Sequence, residues 1–148
     1  DRSEWRLKSD TIDYATRQLR NSIGAMMPTT PVEQSDFFTG VFDKLPILEE
    51  ATTSRVVVNN DVLRHVVFSF DAGQVLTEHA SPRAVIVQQL SGKMRFRIGD
   101  QTHDLAAGDV VYLAPGDRHA LEALEPCHMA LTLVDVDNTA YAAKGEEK

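Results

Sequence analysis

The sequence is poor in cysteine and in long apolar runs, and these two features argue against a disulfide-bonded or a membrane-spanning protein. Cys127 is the only cysteine among 148 residues, so no disulfide can form within one chain and a reducing compartment is expected. No apolar run approaches the ~18 residues that a membrane-spanning helix needs. No stretch resembles the charged and then apolar leader of a secreted protein. We therefore expect a cytoplasmic protein without membrane contact.

Positive charge is also scarce. The chain has 15 Lys and Arg against 22 Asp and Glu, a formal net charge of -7. Nucleic-acid-binding surfaces need clustered Lys and Arg, so we expect no nucleic-acid partner. The hydrophobic fraction of 43% and the charged fraction of 25% are those of an ordinary globular protein, and the length fits a single domain.

The chain changes character near residue 36. Before it, four apolar residues recur at helical spacing and predict a helix: Ile12, Ala15, Leu19 and Ile23. We predict an N-terminal helical extension over residues 1–35, a β-barrel over 36–135 and a polar tail over 136–148. An apolar patch around Phe37–Phe42 predicts a second short helix or a turn over Ser35–Phe42.

From Arg55 onward, short β-type runs alternate with turn residues, as in a sandwich or barrel. The segment Arg83–Leu90 is nearly continuous in Val and Ile and predicts a strand that is covered on both faces. The predicted strands are Arg55–Val58, Val62–Phe70, Arg83–Leu90, Met94–Ile98, Thr102–Leu105, Val110–Leu113, His119–Ala123 and Cys127–Val134.

Two blocks of glycine and histidine stand out within this region. The first has Gly73, then five residues, then His79, and closes at Gly92. The second runs from Gly108 through a Pro115-Gly116 turn to His119, and residues 93–107 separate the two blocks. Glycines at strand ends suit hairpin turns that need positive φ. A Pro-Gly dipeptide turns the chain so that His119 can enter a new strand.

These blocks, in this order and at this spacing, resemble those of small single-domain cupins of the conserved-barrel type. The resemblance covers roughly Phe37 to Val134. It implies an all-β fold, the cupin double-stranded β-helix, which is a jelly-roll barrel of six to eight strands.

The resemblance also implies a metal site, but the ligand set is incomplete. A metal-binding cupin supplies two histidines and a glutamate from the first block and one histidine from the second. His79 and His119 match the first and last of these, whereas Ser81 and Val85 replace the second histidine and the glutamate. Ala123 replaces the asparagine that usually follows. Zinc and iron sites take three or more protein ligands, so two histidines hold an ion weakly.

Other side chains could complete the site. Gln89 has the same parity as Val85 on its predicted strand, His65 and His128 could point inward, and Glu78 adjoins His79. His103, beside a tight turn, is expected to be solvated. We predict that His79, Ser81, Arg83, Gln89 and His119 bind ligand, with His79 and His119 as the candidate ligands of a weakly held Zn, Fe, Ni or Mn ion. No residue is assigned a catalytic role.

Three classes of function remain open. The first is a module that binds a small organic molecule in the barrel. The second is a metal-dependent enzyme of the dioxygenase, isomerase, lyase or cyclase type. The third is a structural or partner-binding protein that uses its N-terminal helix as the contact. A homodimer is expected in each case, because an apolar patch such as Phe37–Phe42 needs cover.

Overall fold

The structure, a computed structural model, describes residues 29–136, and this part of the chain forms nine β-strands and no helix. Residues 1–28 of the predicted extension, which contain its predicted helix, and residues 137–148 of the predicted tail therefore lie outside the described residues. The strands are β1 (Thr52–Asn59), β2 (Leu63–Phe70), β3 (Val75–His79), β4 (Ala84–Ser91), β5 (Met94–Ile98), β6 (Gln101–Leu105), β7 (Val110–Leu113), β8 (His119–Ala123) and β9 (Cys127–Val134).

Two antiparallel sheets face each other. One has the strand order β1-β2-β9-β4-β7, and the other has the order β3-β8-β5-β6. From β2 onward, every connection except the β5–β6 hairpin crosses from one sheet to the other. This is the jelly-roll arrangement, so the predicted all-β cupin barrel is confirmed.

The core lies between the sheets. Residues that alternate along each strand point inward, as the two-residue period of a β-strand requires. They form one hydrophobic cluster to which Phe70, Val87, Met94 and Met129 contribute fully buried side chains. The same alternation fixes which polar side chains can reach the barrel interior.

The predicted strands agree closely with the observed ones, with three differences. Four strands have the predicted bounds, namely β5, β7, β8 and β9. Strand β3 was not predicted. Of the short helix or turn predicted over Ser35–Phe42, only a turn is present: residues 35–40 have no regular secondary structure, and the turn begins at Val41. The prediction that both faces of Arg83–Leu90 are covered is wrong, because Ile86 is 39% exposed and Gln88 also faces solvent.

A segment before the barrel, residues 41–46, covers one end of the outer face of the five-stranded sheet. The ring of Phe42 stacks on His128 with centroids 4.3 Å apart, and Nε2 of His128 donates a hydrogen bond of 2.9 Å to the carbonyl of Leu45. Leu45 packs on Val67 and Ala130. This cover buries the outward-facing apolar residues of β2 and β9 at that end.

Candidate functional site

A β-bulge in β3 aims His79 into the barrel. Leu76 pairs with Leu121 of β8 and His79 pairs with His119, so β3 carries one extra residue between these pairs. Without that residue, Leu76 and His79 would point to opposite faces of the sheet. The bulge therefore turns both side chains inward and leaves Glu78 outside, where it pairs with Arg97 and Arg118. Bulges beside functional sites commonly re-aim a side chain in this way.

His79 and His119 meet inside the barrel, as the cupin-like spacing predicted. Their Nε2 atoms are 3.1 Å apart, and the rings are inclined at 61° with centroids 4.2 Å apart. His119 also stacks on the ring of Phe96, whose centroid lies 6.0 Å away at an interplanar angle of 8°. Phe96 is buried, so a packed wall holds the His119 ring in place.

Both imidazoles are anchored through Nδ1. Nδ1 of His79 lies 2.8 Å from the carbonyl of Thr77, and Nδ1 of His119 lies 3.1 Å from the carbonyl of Asp117. Because a carbonyl oxygen only accepts hydrogen bonds, each Nδ1 must carry the proton. Neutral rings then turn two Nε2 lone pairs toward each other, and their contact becomes a hydrogen bond only when one ring is charged.

Burial makes that charge unfavourable. The pKa of His119 is lowered, first by burial and then by the positive charge that His79 can carry, although the Asp117 carbonyl opposes the shift. Desolvation disfavours the charged form of an imidazole. With both rings neutral, the pair offers two lone pairs in an apolar surrounding, a site that accepts a hydrogen bond or an electrophilic ion.

The pair closes one end of a small cavity in the barrel, about 60 Å³ in volume. A water needs roughly 10–15 Å³ on this measure, so the cavity has room for a few waters or one small chemical group. Ser81 and Val85 lie on its wall, as predicted, and the other lining residues are apolar side chains: Leu76, Val87, Phe96, Leu113, Leu121, Met129, Leu131 and Leu133.

The two sequence blocks are also joined through the backbone. The N–H of Gly116 donates a 2.8 Å hydrogen bond to the carbonyl of Ser81. Gly116 has a φ of +86°, a conformation that favours glycine. The Ser81 hydroxyl accepts a bond of 3.1 Å from the N–H of Arg83. The loop after β3 and the turn before β8 thus brace each other at the histidine pair.

Comparison with known proteins places the chain in a family. The profile described as "AraC-like ligand binding domain" matches residues 67–143, which is just over half of the chain. The chain belongs to this family. No curated protein sequence matches it.

Several solved structures resemble this AraC-like ligand-binding domain. A conserved protein of unknown function from Streptococcus pyogenes has 28% sequence identity and a TM-score of 0.65; the match covers 76% of this chain and 98% of that chain. A cupin superfamily protein from Desulfitobacterium hafniense has 19% identity and a TM-score of 0.62; the match covers 73% of this chain and 96% of that chain. KdgF from Halomonas sp. has 23% identity and a TM-score of 0.60; the match covers 70% of this chain and 97% of that chain. The last two similarities show the cupin fold alone.

Two of the predicted ligand-binding residues lie away from the cavity of this ligand-binding domain. Neither Arg83 nor Gln89 lines it. Gln89 does point inward with Val85 and Val87, but it is fully buried further along β4, where its Nε2 donates to the carbonyl of Ser91. Its Oε1 has no hydrogen-bond partner among the described residues. The positions of Arg83 and Gln89 therefore do not support ligand contact.

The remaining histidines lie outside the cavity. His65 and His128 do not point inward. His65 forms a hydrogen bond with Thr132 across the outer face of the sheet, and His128 binds the segment formed by residues 41–46. His103 is exposed, as expected, but it pairs with Phe96 in the β5–β6 ladder and so shares its inner face. Within residues 29–136, no group of three or more His, Cys, Asp or Glu could hold a metal ion.

Sequence reasoning missed three contributors to the site. The carbonyls of Thr77 and Asp117 each lie two residues before a histidine and fix its tautomer, a relation that is visible only once the turns are built. Phe96 was predicted as a strand residue and not as part of the site. Phe96 lies two residues from both Met94 and Ile98 on the strand, so the two-residue period could have predicted that its side chain points inward with theirs. In the described part of the chain, no helix is long and apolar enough to cross a membrane.

Proposed function

We propose that the barrel interior binds a small organic molecule whose polar group bonds to the His79–His119 pair. The observation that carries this proposal is the pair itself, with both Nδ1 atoms committed to carbonyls and both Nε2 atoms facing an apolar cavity. Apolar walls with a few convergent polar groups are the usual makeup of a small-molecule site. The family to which the chain belongs supports a ligand-binding role.

The chemistry of the pair selects a ligand that donates a hydrogen bond. Two neutral imidazoles present only lone pairs at Nε2, so a hydroxyl, an amide N–H or a protonated acid in the cavity can donate a hydrogen bond to them. Ser81 also lines the cavity, and its hydroxyl, which accepts a bond from the N–H of Arg83, still has a proton to donate. Val85 stands where a carboxylate would carry negative charge, so the wall next to the pair stays apolar.

A thermal-shift experiment with small hydroxyl compounds such as phenol tests this proposal. We expect these compounds to raise the melting temperature of the wild-type protein and to lose that effect in His119→Ala. The substitution itself should lower the free energy of unfolding by less than about 1.5 kcal/mol, because the side chain borders a cavity. His65→Ala, on the outer face, is the matched control and should keep the shift. If His119→Ala responds as wild type does, the site assignment is wrong.

A metal site is a second candidate, favoured by the 3.1 Å between the two Nε2 atoms. This separation fits neighbouring ligands of one ion with metal–nitrogen bonds of about 2.0–2.1 Å. Among the described residues no further His, Cys, Asp or Glu joins the pair, so the two imidazoles would hold Zn, Fe, Ni or Mn weakly and leave positions open. Such an ion would polarise a bound carbonyl or activate water.

Elemental analysis separates the two candidates. Protein purified without added metal should contain far less than one equivalent of transition metal if the cavity is an organic-ligand site. A near-stoichiometric metal content that is lost in His79→Ala would instead favour the metal-dependent enzyme.

A further inference from the structure

A second and larger cavity, of about 450 Å³, opens between strands β6 and β7. These strands are the last members of their two sheets, so the cavity is a cleft between two sheet edges. Its floor is apolar and its rim is polar. Its volume lies within the range of roughly 300–1,000 Å³ that is typical of pockets for organic ligands, whereas the cavity at the histidine pair does not.

The register of the β5–β6 ladder explains which side chains enter this cleft. Leu105, His103 and Gln101 lie opposite Met94, Phe96 and Ile98. They therefore share the inner face of the sheet. From the other sheet, Val111 points inward with Leu113. An apolar floor thus continues from the barrel core to the open edge.

The rim offers hydrogen-bonding groups that the fold does not use. Within residues 29–136, the side chains of Gln101, His103 and Tyr112 take part in no hydrogen bond or ion pair. The two carboxylates of the rim are engaged: Asp104 pairs with Arg95 at 2.9 Å, and Asp109 accepts a 2.8 Å bond from the N–H of Ala106. These carboxylates and the net charge of -7 disfavour an anion in the cleft.

Among the described residues, Phe96 is the one that lines both cavities. Its ring stacks on His119 at the inner cavity, and the same side chain lines the cleft. A rotation or displacement of this single ring would therefore join the two cavities into one pocket, with the histidine pair at its inner end and the polar rim at its outer end.

We propose that the β6–β7 cleft is the outer part of the ligand site and that Phe96 separates it from the His79–His119 cavity until ligand enters. The ligand is then an elongated, uncharged organic molecule with an apolar body and a hydrogen-bond donor at its inner end. This inference rests on the proposed function only for the inner end of the ligand, because residues other than the histidine pair form the cleft.

The fluorescent probe N-phenyl-1-naphthylamine, which is uncharged and apolar and has one N–H donor, tests the cleft directly. We expect saturable binding by the wild-type protein. His103→Trp fills the cleft and should weaken binding roughly ten-fold or more, about 1.4 kcal/mol. Thr102→Trp places the same indole on the outer face of the same strand and should leave binding unchanged. If His103→Trp and Thr102→Trp both bind as wild type does, the cleft is not the site.

The charge of the probe tests the ligand class. The sulfonate probe 1-anilinonaphthalene-8-sulfonate has a similar apolar body but a negative charge. We expect it to bind roughly ten-fold or more weakly than the uncharged probe. Equal affinities at physiological salt would overturn the preference for an uncharged ligand.

Phe96→Leu tests whether the cleft joins the inner cavity. Removal of the ring should tighten binding of the uncharged probe several-fold, and His119→Ala should reverse that gain. If His103→Trp abolishes binding but neither Phe96→Leu nor His119→Ala changes it, the cleft is a separate site and the connection is wrong. If His119→Ala abolishes binding while His103→Trp does not, the inference fails and the proposed function stands.

Discussion

At the scale of single residues, Val85 limits the number of ligand atoms that the cavity wall could offer to an ion beside the histidine pair. It lies on the cavity wall with 3% of its surface exposed, at the position where the cupin pattern has a glutamate. Its isopropyl group keeps the wall apolar and supplies no oxygen ligand. For this reason we propose an organic hydrogen-bond donor as the ligand of the two imidazoles, with a weakly held metal ion as the second candidate.

Restoring the carboxylate should convert the pair into a metal site. Val85→Glu adds an oxygen ligand beside the two nitrogens, which gives the three protein ligands of an open zinc site. Without metal the buried glutamate should lower the free energy of unfolding by about 1–3 kcal/mol. Added Zn²⁺ should recover at least that loss, as measured by chemical denaturation. The double variant with His119→Ala should show no recovery, and an equal response to Zn²⁺ in both would contradict the assigned geometry.

His65 should make stability depend on pH. Burial lowers its pKa in the folded protein, while in the unfolded chain it stays near 6.5. As the pH falls through about 6.5, the unfolded state takes up the proton first, so the free energy of unfolding decreases. His65→Gln, which can still bond Thr132, should flatten this decrease between about pH 7 and 5. Denaturation curves at each pH measure it, and parallel curves for the two proteins would refute the prediction.

At the scale of the strands, prediction succeeded where polar and apolar residues follow the burial pattern. Strands β5 and β9 were predicted with their observed bounds because their inward residues are apolar and a turn containing Gly92 or Pro126 precedes them. Strand β3 was missed for the opposite reason: it places Thr77 and His79 in buried or inward positions and so lacks apolar alternation. Its bulge also breaks the two-residue parity. The strand that carries His79 was thus missed, whereas β8, which carries His119, was predicted.

Gln89 shows a related limit. Parity correctly put its side chain on the inner face of β4, but parity does not say how far along the strand the cavity reaches. The cavity ends at Val87, and Gln89 lies past it, bonded to Ser91. The distance between a residue and a pocket along the barrel depends on how the two sheets stack. That stacking was not encoded in the local pattern from which Gln89 was chosen.

Two glycines should respond differently to alanine, because only one of them is packed. Gly92 has a φ of +67°, and a Cβ there would lie 2.3 Å from the Pro126 carbonyl and 2.7 Å from Cβ of Cys127. Gly99 has a φ of +57° with nothing within 4 Å. Gly99→Ala should cost about 1–2 kcal/mol of backbone strain, and Gly92→Ala distinctly more. Urea denaturation of both variants measures the difference, and equal losses would show that the contact relaxes freely.

At the scale of the whole molecule, the segment that precedes β1 exposes three phenylalanine side chains. Phe37 is 91% exposed, Phe42 48% and Phe38 40%, and all three belong to the segment that runs to the outer face of the five-stranded sheet. Contiguous exposed aromatic side chains commonly mark a protein interface. The segment is held in place by Phe42 on His128, so it presents Phe37 and Phe38 from a fixed support.

We therefore expect a homodimer whose contact includes Phe37. Light scattering at micromolar concentration should give twice the 16.4 kDa of one chain. Phe37→Asp places a charge in the contact and should shift the mass toward that of one chain without lowering the melting temperature of the barrel, since a side chain so exposed contributes little to the core. Val110→Asp, at an apolar residue 57% exposed on β7, is the matched control and should remain dimeric. If Val110→Asp dissociates the protein instead, the two chains meet along the β7 edge, and the outer cleft would then lie at their interface.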